Sequence, residues 1–337
     1  MIREAIKIIA ENNDLDSLQM ACVMEEIMSG KAETPEIVSF LKALSQKGET
    51  VKELIAAVKV MRKHAIKINS SREVLLDTCG TGGDARGTFN VSTIVAFVAS
   101  GSGIAVAKHG NRSVSSRCGS ADILEALSID INMPYKKIEK CLDDIGIAFL
   151  FAQNLHPAMK YAMPARREIG KRTIFNLIGP LSNPAQATHQ LIGVFDKKWV
   201  GIFAEVLLNL GSTHALVVHG KDGLDEITTS DNTDVAESNL KSIKTYEINP
   251  QDFGFNKSTL DDLAGGGVAD NVKILLEILK GVHNPKRDIV VLNSAAAIYV
   301  AGSASSIKEG IKKAEDSIDS GKALKKLELL QEFSKKG

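Results

Sequence analysis

Three segments of the sequence combine glycine with polar side chains that could bind a phosphorylated ligand. The first, residues 77–84, reads DTCGTGGD and directly follows the apolar run at residues 74–76. Its glycines, Gly80, Gly82 and Gly83, allow a tight turn and a close approach of the backbone to a ligand. Consecutive amide groups in such a turn can form an anion-binding concavity. The segment has neither P-loop nor dinucleotide-loop spacing, so a plain strand–turn–helix connection is the better explanation of this loop taken alone.

A predicted helix start follows this glycine loop. Asn90 is a favourable N-cap residue, and Ser92 and Thr93 fall in the first turn. That turn offers free amide groups, two hydroxyls and the positive end of the helix dipole. The glycine loop and the helix start together predict a phosphate site.

The second segment, residues 108–116, reads KHGNRSVSS and follows the apolar run at residues 104–107. It offers two cations, an imidazole, an amide and three hydroxyls around one glycine, and Ser120 could add a hydroxyl from the next predicted helix. Open α/β sheets bind ligands beyond the carboxyl ends of their strands, where this loop belongs. The segment therefore predicts a polyanion site. The alternative is a solvated polar loop, which the density of donors disfavours.

The third segment contains two adjacent carboxylates, Asp225 and Glu226, after the apolar run at residues 215–218. Mg²⁺ is usually held by one or two carboxylates together with substrate phosphates and water. A solvated acidic turn is the commoner explanation of an isolated pair, just as a solvated helix face is for Arg166-Arg167. Three histidines show no ligand or triad spacing and are expected to be structural or surface residues: His156, His189 and His214.

The surrounding pattern predicts the elements that position these segments. Residues up to about 69 show only helical periodicity, with Thr34 as a predicted N-cap and a capping box at residues 50–53. Short apolar runs then alternate with helical stretches, which indicates a largely parallel α/β sheet. We therefore predict a helical domain at residues 1–70 and an α/β domain at residues 71–337. Residues 156–184 are expected to be irregular, with a crossing or hinge segment at about 165–190 that packs on the helical domain.

Composition narrows the class of protein. The 337 residues contain 41 Lys and Arg and 41 Asp and Glu, so the net charge is zero, which gives no support to nucleic-acid binding. No apolar run is long enough to cross a bilayer, so no membrane association is expected. The four cysteines lack metal-ligand spacing and favour free thiols, which suggests a cytoplasmic protein.

Taken together and in order, these motifs resemble the anthranilate phosphoribosyltransferase family from about residue 15 to residue 305. The matches include GTGGD at 80–84, TFNVST at 88–93, KHGNRS at 108–113, GSAD at 119–122 and GLDE at 223–226. Residues 151–159, 166–170 and 176–184 also fit. Ser128 departs from the family, which usually has glycine there. The family has a small helical domain and a large α/β domain with a mostly parallel central sheet, as in class II nucleoside phosphorylases.

The resemblance implies transfer of the phosphoribosyl group of 5-phosphoribosyl 1-pyrophosphate (PRPP) to anthranilate, releasing pyrophosphate, in tryptophan biosynthesis. It also implies Mg²⁺ and a homodimer formed through the helical domain. The implied metal residues are Ser92, Asp225 and Glu226. The implied anthranilate residues are Gly80, His109, Asn111, Arg166, Gly179 and Pro180. The predicted PRPP residues are Gly80, Gly83, Asp84, Thr88, Asn90, Ser92, Thr93, Lys108, Asn111, Arg112, Ser113, Ser116 and Ser120. No residue is assigned as an indispensable acid or base.

Two alternatives use the same fold. A pyrimidine nucleoside phosphorylase would use phosphate and a nucleoside, but the loop at 108–112 and the Asp225-Glu226 pair argue against it. A catalytically silent relative that binds nucleic acid would need a basic groove. The zero net charge and the presence of Asn111 and Arg166 disfavour this second alternative.

Overall fold

A computed structural model describes residues 1–83, 86–113 and 118–335 of the chain. Within these residues one seven-stranded sheet has the order β3-β2-β1-β4-β5-β6-β7. The strands are β1 Leu76–Asp77, β2 Val106–Gly110, β3 Ile147–Phe151, β4 His189–Gly193, β5 His214–Gly220, β6 Thr233–Asn239 and β7 Ser242–Ile248.

The first five strands are parallel to their neighbours, and β6 and β7 add an antiparallel edge. The prediction of a mostly parallel sheet is therefore confirmed. The parallel arrangement brings the carboxyl ends of β1, β2, β4 and β5 to the same edge of the sheet. The glycine loop, the loop at 108–113 and the Asp225-Glu226 loop all emerge at that edge.

The N-terminal part of the chain is helical, as predicted. Its helices are α1 Ile2–Ala10, α2 Ser17–Met28, α3 Thr34–Lys47 and α4 Val51–His64. The predicted capping box of α4 is present, with the Thr50 hydroxyl accepting a hydrogen bond from the Glu53 amide at 3.3 Å. The predicted N-cap of α3 is wrong by one residue. The cap is Glu33, because Glu36 reaches back to the Glu33 amide at 3.2 Å and draws Thr34 into the helix.

The rest of the chain supplies the helices that cover the sheet. They are α5 Val91–Gly101, α6 Ser120–Ala126, α7 Tyr135–Ile145, α8 Ala152–Leu155, α9 Met163–Ile169, α10 Ile174–Ile178, α11 Lys198–Asn209, α12 Val268–Leu279, α13 Pro285–Val300, α14 Ile307–Asp319 and α15 Lys322–Lys335, with 3-10 turns at Pro157–Tyr161 and Pro250–Phe253. Helix α13 is buried along nearly its whole length, as its apolar sequence predicts. Among the described residues, no helix is long and apolar enough to cross a membrane.

Two hydrophobic clusters flank the sheet. One joins the inner faces of α5, α13 and α14 to β2 and β3. The other joins α1–α4 to α9, α10, α11 and the opposite face of β4 and β5. Burial of apolar surface on both faces is the main force holding the parallel strands in place.

Residues 157–178 are largely helical, which corrects part of the prediction, whereas residues 179–184 lie outside helices and strands. The helical part consists of a 3-10 turn and the short helices α9 and α10. Pro157 and Pro164 lie in the first turns of these helices, where a missing amide hydrogen costs nothing, so proline initiates rather than disrupts them. α9 packs on α3 and α10 on α4, and the Arg62 guanidinium donates to the Leu181 carbonyl oxygen at 2.8 and 3.0 Å.

Candidate active site

The glycine loop leaves β1 in a conformation that requires its glycines. Gly82 and Gly83 have φ angles of +63° and +77°, in the left-handed region that side chains other than glycine rarely adopt. The loop is anchored to the end of β4, because the Thr81 amide donates to the Gly193 carbonyl oxygen at 2.9 Å. Asp84, which the sequence also places in the phosphate site, lies outside the described residues.

The start of α5 faces this loop and is capped as predicted. The Asn90 carboxamide oxygen accepts a hydrogen bond from the Thr93 amide at 3.1 Å, and the Thr78 hydroxyl donates to the Ser92 carbonyl oxygen at 3.0 Å. Thr88 forms an isolated bridge with Ala264 just before the helix. The buried Thr93 Oγ1 has no hydrogen-bond partner among the described residues. Because such a hydroxyl is costly to leave unpaired, it is a donor available to a ligand.

Lys108 joins the two halves of this phosphate site. Its buried ammonium donates to the Thr78 carbonyl oxygen at 3.2 Å and to the Ser92 hydroxyl at 3.2 Å. The charge therefore lies between the glycine loop and the first turn of α5. Strand β2 positions it there, since Lys108 occupies the middle of that strand.

The loop after β2 is held against α6. Ser120 Oγ donates to the Asn111 carbonyl oxygen at 3.3 Å, and the Ser113 amide donates to Asp122 at 3.2 Å. The Arg112 guanidinium binds Asp122 at 3.1 Å and both oxygens of Glu125 at 2.5 and 2.7 Å. The side-chain hydrogen bonds of Arg112 are therefore with α6, and its role in PRPP binding stays a prediction. Ser116 lies outside the described residues.

The acidic loop meets the same site. Ser92, Asp225 and Glu226, the three predicted metal residues, line one small pocket, whose other lining residues are Thr78, Gly80, Val95, Leu191 and Gly193. Two carboxylates and a hydroxyl are hard oxygen donors of the type that Mg²⁺ prefers, so the residues present fit this ion. The sequence separates Ser92 from the adjacent Asp225 and Glu226 by more than 130 positions, and the sheet brings them together.

Gly193 is a site residue that the sequence analysis missed. A Cβ atom there would lie 1.5 Å from the Asp225 carbonyl oxygen, so the backbone of the acidic loop packs directly on β4. The signal was available, because a glycine within the apolar run at 191–195 indicates a close backbone approach.

The predicted acceptor residues lie on β2 and on the segment that crosses between the two hydrophobic clusters. His109 Nε2 lies 3.2 Å from Nε2 of His156, and both rings are buried. Burial, helped by His156 and Lys108, lowers the pKa of His109 well below its ordinary value, and burial lowers that of His156 to about 4. An interaction with the Gly179 backbone opposes this lowering of the His109 pKa. It is not a well-formed hydrogen bond, since His109 Nδ1 has no hydrogen-bond partner within the described part of the chain.

Both imidazoles are therefore neutral at pH 7. His156 is buried beside His109, a predicted acceptor residue, and is not exposed. The only indication of this position in the sequence was the His156-Pro157 pair. Pro180 follows Gly179 and accepts a hydrogen bond from the Gln190 carboxamide at 3.3 Å. This contact fixes the crossing segment to β4.

Arg166 is half-buried on α9, and burial lowers its pKa. The guanidinium carbon lies 5.6 Å from the centre of the Phe175 ring. No carboxylate of residues 1–83, 86–113 or 118–335 forms an ion pair with it. A half-buried cation without a protein counter-charge is suited to bind an acidic ligand.

A buried junction fixes the crossing segment to the sheet. Asn183 donates to the Asp77 carboxylate at 2.7 Å and to the Ala107 carbonyl oxygen at 2.8 Å, and the His109 amide donates to Asp77 at 3.1 Å. Burial raises the pKa of Asp77 to about 6. Potential ligand atoms of Asp77, Cys79 and His109 lie within 4.8 Å of one another, but Asp77 is already hydrogen-bonded and burial raises the pKa of the Cys79 thiol. This cluster is therefore a structural junction.

Comparisons with known proteins agree with this architecture. Residues 72–324 match the glycosyl transferase family, a/b domain, and residues 3–65 match the glycosyl transferase family, helical bundle domain. The anthranilate phosphoribosyltransferase of Petrotoga mobilis is 51% identical over 96% of this chain and 94% of its own length. The crystal structure of the enzyme from Thermus thermophilus has a TM-score of 0.93 at 39% identity, covering 98% of this chain and 99% of its own.

The Saccharomyces cerevisiae enzyme, in complex with PRPP and Mg, has a TM-score of 0.90 at 29% identity over 99% of this chain and 97% of its own. These similarities extend over nearly the full length of both chains, so they include the helical part, the sheet and every loop described above. The chain belongs to the anthranilate phosphoribosyltransferase family.

Proposed function

We propose that this enzyme transfers the phosphoribosyl group of PRPP to the amino group of anthranilate, giving N-(5-phosphoribosyl)anthranilate and pyrophosphate in tryptophan biosynthesis. The observation that carries the proposal is the pocket lined by Gly80, Ser92, Asp225 and Glu226, beside the capped N-terminus of α5. It combines an anion-binding backbone with carboxylates that would repel a phosphate unless a cation lay between them.

The principal chemical demand is stabilisation of the leaving pyrophosphate. Ser92, Asp225 and Glu226 would hold Mg²⁺, which supplies charge neutralisation of the phosphate oxygens when bound. Lys108 adds a fixed positive charge, and the amides of the α5 first turn add oriented dipoles. These groups are preorganised by the sheet, so they need little rearrangement as charge develops on the leaving group.

The nucleophile needs less assistance. An aromatic amine is neutral at pH 7 and carries its lone pair without help from a base, so bond formation to the ribose C1′ and departure of pyrophosphate can proceed through an oxocarbenium-like transition state. The lowered pKa values of His109 and His156 keep positive charge away from the amine. The enzyme contributes mainly by aligning donor and acceptor.

Acceptor recognition is assigned to the crossing segment. Arg166 is the cation available to the anthranilate carboxylate, and its planar fork can donate two parallel hydrogen bonds. Gly179 and Pro180 are proposed to line the aromatic ring of the acceptor together with His109 and Asn111. Arg166, Gly179 and Pro180 are thus on a different segment from the donor loops, although Gly80 and Asn111 are assigned to both substrates, and domain closure over donor and acceptor is expected.

The decisive assay mixes the protein, PRPP, anthranilate and Mg²⁺ and follows the loss of anthranilate fluorescence. Fluorescence should fall only when all three ligands are present. A parallel reaction with a pyrimidine nucleoside and phosphate should release no base. Absence of anthranilate consumption, or release of base at a comparable rate, would reject the proposed activity.

We further propose a homodimer formed through the helical domain, supported by an exposed Leu18 on α2 near a groove lined by Ala21, Ile55 and Val60. Light scattering after gel filtration would measure the mass, and Leu18→Glu would be expected to favour the monomer. All four cysteines are free thiols, which supports the cytoplasm as the compartment.

A further inference from the structure

One cation of the crossing segment contacts the glycine loop directly. Arg172 follows the end of α9 by three residues, and its guanidinium donates a hydrogen bond to the carbonyl oxygen of Gly83. The same guanidinium stacks on the Phe195 ring, with its central carbon 3.8 Å from the ring centre. Stacking on an aromatic face is more favourable for the planar guanidinium of arginine than for the ammonium of lysine.

The Phe195 backbone is itself tied to the glycine loop. Its amide donates to the Thr81 hydroxyl at 3.0 Å, and the Thr81 amide donates to Gly193 at 2.9 Å. Three separate segments therefore meet at one point: the glycine loop, the end of β4 and the connection between α9 and α10. The Arg172 side chain joins the connection between α9 and α10 to Gly83 of the glycine loop.

We propose that Arg172 is a positioning residue that couples the acceptor-binding helix α9 to the PRPP-binding glycine loop. The inference rests on the proposed function and adds a residue to it. Arg166 and Arg172 lie six residues apart on either side of the α9 C-cap, Gly170, which has a φ angle of +60°. An acceptor bound to Arg166 would hold α9 in place. The contact of Arg172 with Gly83 would then hold the glycine loop in place as well.

Two consequences distinguish this role from general support of the fold. Loss of Arg172 should raise the KM for PRPP measured at saturating anthranilate, but it should leave the affinity for anthranilate in the absence of PRPP within about twofold, because Arg166 is unaffected. It should also reduce the extent to which bound anthranilate tightens the binding of PRPP, since the linking contact is gone. By thermodynamic linkage, bound PRPP should tighten the binding of anthranilate less than in the wild type, and by the same factor.

The test compares Arg172→Ala, Arg172→Lys and Phe195→Leu in the full-length enzyme with Mg²⁺, with Lys171→Ala as the matched control. Lys171 is the adjacent exposed cation, and it forms no hydrogen bond or ion pair within the described part of the chain. Arg172→Ala should raise the KM for PRPP about tenfold, the scale of a charge-assisted hydrogen bond. Phe195→Leu and Arg172→Lys should each raise it about threefold, and Lys171→Ala should leave it unchanged.

Melting temperatures within about 2 °C of the wild type would show that the variants fold. The double variant Arg172→Ala/Phe195→Leu should be no worse than Arg172→Ala alone, because both changes break one contact. Additive effects, or a Phe195→Leu variant identical to the wild type, would mean that Arg172 touches the donor directly and would overturn the positioning role. An unchanged PRPP KM in Arg172→Ala would also overturn it. A wild-type enzyme that never consumes anthranilate would instead reject the proposed function.

Discussion

The carbonyl oxygen of Asp225 lies against the α-carbon of Gly193, at a distance that leaves no room for a side chain on β4. A Cβ built on Gly193 would come within 1.5 Å of that oxygen and 2.5 Å of the Asp225 carbonyl carbon. Since the Gly193 carbonyl oxygen also accepts the Thr81 amide, this one residue sets the spacing between the acidic loop and the glycine loop.

Gly193→Ala is therefore expected to displace the acidic loop and reduce turnover strongly. The overlap is with backbone, which cannot move aside as a flexible side chain would, and overpacking of this kind typically costs about 1–3 kcal/mol. Gly201→Ala on α11 is the matched control, because a Cβ there meets nothing within 4 Å and helical alanine is favoured over glycine by about 0.5–1 kcal/mol. Melting curves and turnover of both variants check the prediction. Normal Mg²⁺-dependent turnover in Gly193→Ala would contradict it.

The acidic pair should be required for metal-dependent turnover. Asp225→Asn/Glu226→Gln preserves shape and removes two negative charges from the pocket shared with Ser92. Turnover should fall about 100-fold or more, the scale seen when a transition-state contact is lost, while the melting temperature is retained. Asp252→Asn/Glu315→Gln, which removes two exposed carboxylates elsewhere, should be neutral. Near-normal turnover of the first double variant at low Mg²⁺ would show that the metal is held by other residues.

Lys108 and Ser120 should serve the donor more than the acceptor. Lys108→Ala removes the ammonium between Thr78 and Ser92, and loss of a charged hydrogen bond corresponds to about 1.5–3 kcal/mol, or about 10- to 150-fold. The KM for PRPP should rise by that order and the KM for anthranilate much less. Lys108→Met keeps the buried alkyl stem and separates charge from packing. Equal changes in both KM values would indicate a structural role for Lys108.

Acid stability should depend on Glu237, which lies on β6. Its carboxylate accepts hydrogen bonds from His214 at 2.8 Å, Tyr246 at 2.9 Å and Tyr299 at 2.7 Å, and these bonds, His214 first, lower its pKa to about 2. The folded state thus favours the ionised form. The resulting stability, on the order of 1–2 kcal/mol after allowance for partial solvent exposure, is complete above the ordinary carboxyl pKa of 4.5 and is lost as pH falls towards 2.

Urea unfolding midpoints between pH 6 and pH 3 test this assignment. Glu237→Gln should be destabilised at pH 6 and should show a weaker loss of stability on acidification than the wild type. Glu315→Gln, an exposed carboxylate on α14, provides the control for general charge effects. If the unfolding midpoint fell with pH to the same extent in the wild type and in Glu237→Gln, Glu237 would be excluded as the source of the pH-dependent stability.

The sequence predicts the elements near the site because their signals are local. The Asn90 cap, the glycine loop and the helical start of the chain each depend on a few adjacent residues, and all are present in the structure. The short helices within residues 156–184 are not predicted, since prolines at helix starts look like helix breakers in the sequence. Ser128, noted as a departure from glycine, has a φ of +59°, which explains the family's preference there.

Other features could not be predicted because they depend on contacts between distant segments. The Gly193–Asp225 contact joins residues from neighbouring strand ends, and the stacking of Arg172 on Phe195 joins two loops. Burial of the His109–His156 pair likewise follows from packing of the crossing segment on β2. Residue types and local spacing do not encode such contacts, since the sheet order determines which strand ends meet.

Arg166 should recognise the carboxylate of anthranilate. It is half-buried, has no ion-pair partner within the described ranges and stacks beside Phe175. A hydrogen bond to a charged group contributes about 1.5–3 kcal/mol, so Arg166→Ala should raise the KM for anthranilate about 10- to 150-fold. The KM for PRPP should change little. Arg167→Ala, which removes the adjacent exposed arginine, should leave both KM values near those of the wild type.

Two further comparisons separate recognition of the acid from support of the Arg166 pocket. Arg166→Lys should recover only part of the lost affinity, because an ammonium cannot form two parallel bonds with a carboxylate. Aniline, which lacks the carboxylate, should be a poor acceptor for the wild type and should lose little more activity in Arg166→Ala. If Arg166→Ala weakened anthranilate and aniline by the same factor, the arginine would be maintaining the shape of the pocket, and some other group would have to bind the acid.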